Sequence, residues 1–217
     1  SARRDTARRS APQVLDAPIQ SKGGNVSENL GARLRQAREK AGIAVRELAR
    51  RIGVSASLVS QIERGRVMPS VGTLFAITNL LGLVIDDLFK GEGRGRGANA
   101  AQTGSGPVQR RHNRKSIQMA AGVRWERLTA EPDRDVEFLY VVYDAGAASC
   151  REDALFQHGG NEYAYLLSGR LGVRIGFEEY ELGPGDAISF DAQLPHRLWC
   201  IGREPAIAIW TIIRRRG

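Results

Sequence analysis

Between Ala44 and Gly65 the chain reads AVRELARRIGVSASLVSQIERG, and few arrangements accommodate that string. Leu48, Ala49 and Ile52 recur at helical spacing and give a first short helix one apolar face. Gly53 follows where the chain must turn sharply, and glycine enters the left-handed region at little steric cost. Leu58, Val59 and Ile62 then rebuild an apolar face, while Ser55, Ser57, Ser60 and Gln61 stay outside. Ala49 is small where two helices must cross closely. The pattern predicts two short helices packed across a tight turn, the second showing a short-chained, uncharged polar face. Such a face suits insertion into a DNA major groove.

Charge is unevenly spread over the 217 residues. Residues 1–116 carry 21 Lys+Arg against 9 Asp+Glu, and residues 117–217 carry 11 against 15, so the two parts hold +12 and −4. A basic front and an acidic back predict two modules, with a polyanionic partner facing the front. No apolar run is long enough to span a bilayer, and no signal-peptide pattern is present. The expectation is a cytoplasmic protein without a membrane partner. Its two cysteines, Cys150 and Cys200, are then reduced thiols, either redox switches or inert buried groups.

Residues 1–26 mix Arg pairs, Ser, Pro and Gly with few large aliphatics, and predict a disordered basic tail that either brushes phosphates or has no role. Residues 27–89 predict a five-helix bundle. Ser27 is placed to cap the first helix, in which Leu30, Leu34, Ala37 and Ala41 repeat at helical spacing. Ser70 caps a fourth helix whose Leu74, Ile77, Leu80 and Leu81 face inward, and Gly82 ends it. A short fifth helix around Asp86 to Phe89 seals the core. Residues 90–116 lack apolar periodicity and predict a flexible basic linker, with His112 solvated. Residues 117–217 change character. Short apolar segments at 138–143, 163–167, 171–175, 186–190 and 206–213, separated by turn residues, predict a β-sandwich or small barrel.

On these residues the segment 30–89 resembles the Cro-type helix-turn-helix domain of phage repressors and of xenobiotic-response-element-like bacterial regulators. The match runs through Leu34, Arg38, Leu48, Ala49, Ile52, Gly53, Val54, Ser57, Val59, Ile62, Glu63, Gly65, Pro69, Leu74, Ile77 and Leu80. The resemblance implies a recognition helix starting near Ser55. In it, Gln61 would read a base edge, because its amide can pair bidentately with adenine. Ser57 and Ser60 would contact base or phosphate, and Arg46, Arg64 and Arg66 would grip phosphate. It also implies an ion pair between Arg38 and Glu63 that orients the recognition helix. Ala44 departs from the pattern, since alanine caps a helix poorly. Ala56 is too short to reach a base, so DNA shape would carry part of the specificity.

Residues 156–200 resemble a cupin, the small double-stranded β-barrel. His158 and Glu162 match its first motif, with Gly169 following YAYLLS; Pro184, Gly185 and His196 match its second. The resemblance implies a site of His158, Glu162 and His196, a two-histidine, one-carboxylate set for a divalent metal such as Zn, Fe, Mn or Ni. Phe156 stands where the family has a further histidine and cannot ligate. A metal-bound site, a metal-free effector pocket and a purely structural barrel all stay open, and no cofactor is certain. Strand alternation puts Ala164 and Leu166 beside Glu162, so the expected effector pocket is mostly apolar. It puts Tyr163 and Tyr165 on the other face, in a packing role, and the size of Trp199 and Trp210 assigns them to core or dimer packing. Arg151 is expected in solvent, with carboxylate binding as its other role.

Together the two halves resemble bacterial helix-turn-helix regulators with a cupin sensor. The implied protein is not an enzyme but a transcriptional regulator, a repressor, binding operator DNA as a homodimer and a small-molecule effector in its barrel. The rival is a metal-dependent cupin enzyme of dioxygenase or isomerase type carrying a DNA-binding domain.

Overall fold

The computed structural model describes residues 26–89 and 106–214. The tail at 1–25 and linker residues 90–105 lie outside them. The helical part comprises α1 (Val26–Lys40), α2 (Val45–Ile52), α3 (Ala56–Glu63), α4 (Val71–Leu81) and α5 (Ile85–Leu88). Ser27 stands one residue inside α1 rather than ahead of it, because the helix starts at Val26. Between α2 and α3 the backbone turns at Gly53, at φ 72° and ψ 30°. Ala44 precedes α2 without a side-chain cap, whereas Ser55 and Ser70 accept the Leu58 and Thr73 amides at 3.1 Å each. Leu30, Leu34, Leu48, Ala49, Val59, Ile62, Leu74 and Ile77 are buried. Ala41 is exposed, and Leu80 and Leu81 are only half-buried. Gly31, buried on α1, lets α3 approach: a Cβ there would fall on the Ile62 carbonyl oxygen and lie 2.9 Å from that of Glu63.

Two antiparallel sheets form the second part. The larger has the order β1 (Ser116–Gln118), β2 (Val123–Arg127), β3 (Val136–Tyr143), β9 (Ala206–Ile213), β4 (Asn161–Ser168), β7 (Ala187–Asp191). The smaller is β6 (Glu178–Leu182), β5 (Leu171–Ile175), β8 (His196–Cys200). Alternation sends Glu162, Ala164 and Leu166 of β4 inward, and likewise Trp210 and Ile212 of β9. Register sets Ala164 opposite Trp210 and Glu162 opposite Ile212. The inner faces therefore meet in an apolar interior.

Two expectations fail here. Residues 106–116 are not all linker: Arg111–Asn113 forms a helical turn, and the Lys115 carbonyl accepts the Arg127 amide at 2.9 Å beside β1. Nor are the helical and barrel parts separate bodies. One apolar core runs from Leu34, Leu74 and Phe75 through Trp125 and Val141 to Trp210. The Gly72 amide donates to the Ser149 carbonyl at 3.0 Å, Ala120 to Pro69 at 2.9 Å, and Asp133 to the Asp86 carboxylate at 2.6 Å. Helix α4 is apolar apart from Thr73, Thr78 and Asn79, and a helix of that composition is buried on more than one face. One face of α4 covers its own bundle, and Val71, Gly72 and Phe75 cover the barrel mouth.

Candidate functional site

Helix α3 presents the first group of candidate residues. Its inner face, Val59, Ile62 and Glu63, is buried. Ser57, Arg64 and Arg66 are exposed, and Ser60 and Gln61 half-exposed. Ser55 is also exposed, but its hydroxyl is engaged in capping α3. Gln61 Nε2 donates to Ser57 Oγ at 3.2 Å, which holds the amide along the outer face. Arg64 folds back on the Ser60 carbonyl at 3.0 Å. Arg46 is exposed at the start of α2. Glu47, beside it, is half-buried and engaged by Arg50 and Arg51, whose hydrogen bonds pull its carboxyl down to about 2.

Underneath, Arg38 of α1 grips Glu63 at the end of α3. Nε and Nη2 donate to the two carboxylate oxygens at 2.6 and 2.9 Å, and Nη1 donates to the Ile43 carbonyl at 2.8 Å. Arg38 is 8% exposed and Glu63 9%. The forked pairing fixes two planar groups against each other and thereby fixes the rotation of α3 on α1.

The second group lies inside the barrel. His158 Nε2 and Glu162 Oε1 are 2.6 Å apart, and His196 Nε2 lies 3.5 Å from the same oxygen, beyond good hydrogen-bond geometry. Trp210 Nε1 donates to Glu162 Oε2 at 2.9 Å. Each histidine's Nδ1 faces a backbone carbonyl, Gly159 for His158 and Leu194 for His196. His196 is fully buried, and its Nε2 has no hydrogen-bond partner among the described residues. Burial pushes the Glu162 carboxyl up, but contacts with His158 and His196 outweigh it and hold the group down at about 2. One candidate ligand atom from each of His158, Glu162 and His196 lies within 4.8 Å of the others, the arrangement of a candidate metal-holding group.

Phe156 bridges His196 through paired backbone hydrogen bonds of 3.1 and 2.9 Å, and its ring lies 4.2 Å from the imidazole. A cavity lined by Phe75, Trp125, Tyr143, Phe156, Glu162 and Trp210 among others holds about 20 Å³, room for one water. Tyr163 and Tyr165, expected to pack, are instead 45% and 49% exposed on the outer sheet face. Trp199 is half-buried, with the Arg197 guanidinium 4.9 Å from its ring. Arg151 is exposed and pairs with Asp153 at 2.9 Å. Burial pushes the Cys150 thiol up, the reverse of an activated cysteine, and Cys200 is buried with its thiol toward the Glu204 carbonyl.

Three residues at these sites escape sequence reasoning. Trp210 reads as packing, yet it anchors Glu162. Trp125 lies on a strand too short and too charged to announce itself. Phe75 comes from the helical part, and its sequence signal is the mostly apolar composition of α4.

Residues 29–88 match the helix-turn-helix domain family, and residues 139–212 the cupin domain family. Two relatives align over most of both chains. The HTH-type transcriptional regulator PuuR of Escherichia coli K12 is 23% identical over 168 residues, 76% of this chain and 84% of that protein. The HTH-type transcriptional regulator SutR of the same organism is 24% identical over 189 residues, 87% and 96% of the two chains. A solved HTH_3 family transcriptional regulator from Vibrio cholerae superposes with a TM-score of 0.60 at 21% identity, covering 88% of this chain and 98% of its own, a likeness of fold. The chain thus joins a helix-turn-helix domain to a cupin domain.

Proposed function

We propose that this helix-turn-helix/cupin chain is a DNA-binding transcriptional regulator, a repressor, in which α3 enters the major groove and the barrel takes a small effector. The observation that carries this reading is the outer face of α3. It is polar, uncovered by the barrel, and held in orientation by the Arg38–Glu63 fork. Gln61 and Ser57, already hydrogen-bonded to each other, are positioned to meet base edges. Ser55, Ser60, Arg46, Arg64 and Arg66 flank them for phosphate.

A single recognition helix spans few base pairs, so affinity and specificity call for two copies on adjacent half-sites. The outer face of the six-stranded sheet supports pairing. Phe138, Tyr163, Tyr165, Leu167 and Ile213 are exposed together on β3, β4 and β9. An apolar patch of this kind marks an interaction surface.

His158, Glu162 and His196 fit a divalent metal, because the orphaned Nε2 of buried His196 turns toward the same carboxylate oxygen that His158 contacts. Bound there, such an ion would supply a Lewis-acid point for an oxygen- or nitrogen-bearing effector. The same trio favours the rival reading, a metal-dependent enzyme, which predicts turnover by the metal-loaded chain. The relatives are named as regulators, which supports a sensor working on DNA in the cytoplasm. Among the described residues no helix is long and apolar enough to cross a membrane.

Selection from a random duplex library tests the reading. The full chain should enrich one two-fold-symmetric sequence whose affinity falls steeply with salt as phosphate counterions are released. No enrichment over the starting pool would reject it.

A further inference from the structure

The barrel's ligand space is filled by the DNA-binding module itself. Phe75, on α4, is 2% exposed. Its ring lies flat on His158, with centroids 3.8 Å apart and an interplanar angle of 11°. It stacks on Phe156 at 5.7 Å and meets the edge of Trp125 at 5.7 Å. With the ring in place, the cavity it lines keeps about 20 Å³, space for one water. Beside Phe156 lies a fully buried imidazole, His196, whose Nε2 has no partner among the described residues. A buried unsatisfied nitrogen is costly and calls for an explanation. A metal ion at the trio would satisfy it, and a ligand lying over the neighbouring His158 would take the volume that Phe75 now occupies.

We propose that Phe75 is the resident plug of the barrel site, so that a compact, largely apolar molecule carrying one polar group enters only as α4 leaves. The inference rests on the regulator reading above and adds its mechanism. Helix α4 sits flush on the barrel mouth: Gly72 donates to Ser149, and a Cβ on Gly72 would stand 3.2 Å from that of Phe156. Phe75 lies one turn from Gly72, so the ring and that contact hold the same stretch of α4 to the barrel. It also packs on α1 and α2, and α1 holds α3 through Gly31 and Arg38. Release of Phe75 therefore weakens the docking of the whole reader, which the Ala120–Pro69 and Asp133–Asp86 hydrogen bonds also hold. The docked state fixes the reader against the barrel, and in a dimer it fixes the spacing of the two readers. Ligand and docked module compete for one space, so the ligand lowers DNA affinity by its preference for the undocked state.

The test uses the full chain and its library-selected duplex. In Phe75→Ala the Gly72 amide should exchange with deuterium about tenfold faster, and duplex affinity should fall by about the same factor, within the range of ordinary couplings. The Val59 amide, in the module's own core, should keep its protection. Phe75→Leu, which restores most of the volume, should fall between Phe75→Ala and wild type, and it carries the decision if Val59 protection is lost in the alanine variant. Benzene, the shape of the missing ring, is the ligand probe: it should slow Gly72 exchange in Phe75→Ala by refilling the space over His158. Wild-type exchange at Gly72, no response to benzene, or faster exchange with unchanged or tighter DNA binding would each overturn the proposal. A wild-type chain without duplex affinity would instead sink the regulator reading, while the exchange experiment still decides whether Phe75 holds the module.

Discussion

Replacing Arg38 by Met should be far more damaging than its place on a helix surface suggests. The substitution keeps the aliphatic stem and removes a guanidinium that donates two hydrogen bonds to Glu63 and one to Ile43. Glu63 would then be a carboxylate 9% exposed without its partner, and breaking a buried pair from one side costs about 3–5 kcal/mol. Glu63→Leu should cost less. Arg38 keeps the Ile43 carbonyl and has Glu39 at 3.7 Å to turn toward. The double variant should cost less than the sum of the singles, with a coupling of about 1–3 kcal/mol. Thermal melting followed by circular dichroism reads both the energy and the cooperative unit. If the helices and barrel unfold together, as their shared core implies, a loss of about 3 kcal/mol lowers the midpoint by roughly 6–12 °C; a helical module melting alone would drop by roughly twice that. A loss under about 1 kcal/mol for Arg38→Met, or strict additivity in the double variant, would refute the argument that this pair anchors α3.

Other expectations divide the molecule's roles. Gln61→Ala should weaken the selected duplex by about 1–3 kcal/mol while leaving random duplex nearly unchanged, whereas Arg64→Ala should weaken both and reduce the salt slope by about one contact; anisotropy titrations separate the two. Tyr163→Arg with Tyr165→Arg should turn a dimer into a folded monomer by light scattering, since both rings are exposed and bear no core load. Zinc or nickel should raise the melting midpoint of wild type, by the equivalent of about 2.7 kcal/mol at a hundredfold excess over Kd, and the rise should vanish in His196→Ala.

Much of this was legible in the sequence because periodicity reports what one face of an element does. The apolar faces of α2 and α3 and the glycine between them stand in the chain as written, and so do Ser70, Gly82 and the alternation of β4. The paired strands β1 and β2 were not, being short and carrying Arg124, Glu126 and Arg127. Nor was β6, whose four leading residues are all exposed and include three glutamates, so no alternation marks it. Strand β8 hid behind His196 and Arg197, although its inward residues do alternate. The metal-type trio showed through motif spacing, but its surroundings did not. Trp210 and Phe75 reach Glu162 and His158 from 48 and 83 residues away in the chain. No local pattern records contacts of that range. The union of the two parts was the largest omission, because inward residues of α4 were assigned to one core when the helix serves two neighbours.

Footprinting of the library-selected duplex by hydroxyl radicals tests the central claim most directly. The full chain should protect two backbone patches on one face of the helix, centred about 10 base pairs apart, as two α3 helices in successive major grooves require. A single patch, or uniform protection without spacing, would contradict the account.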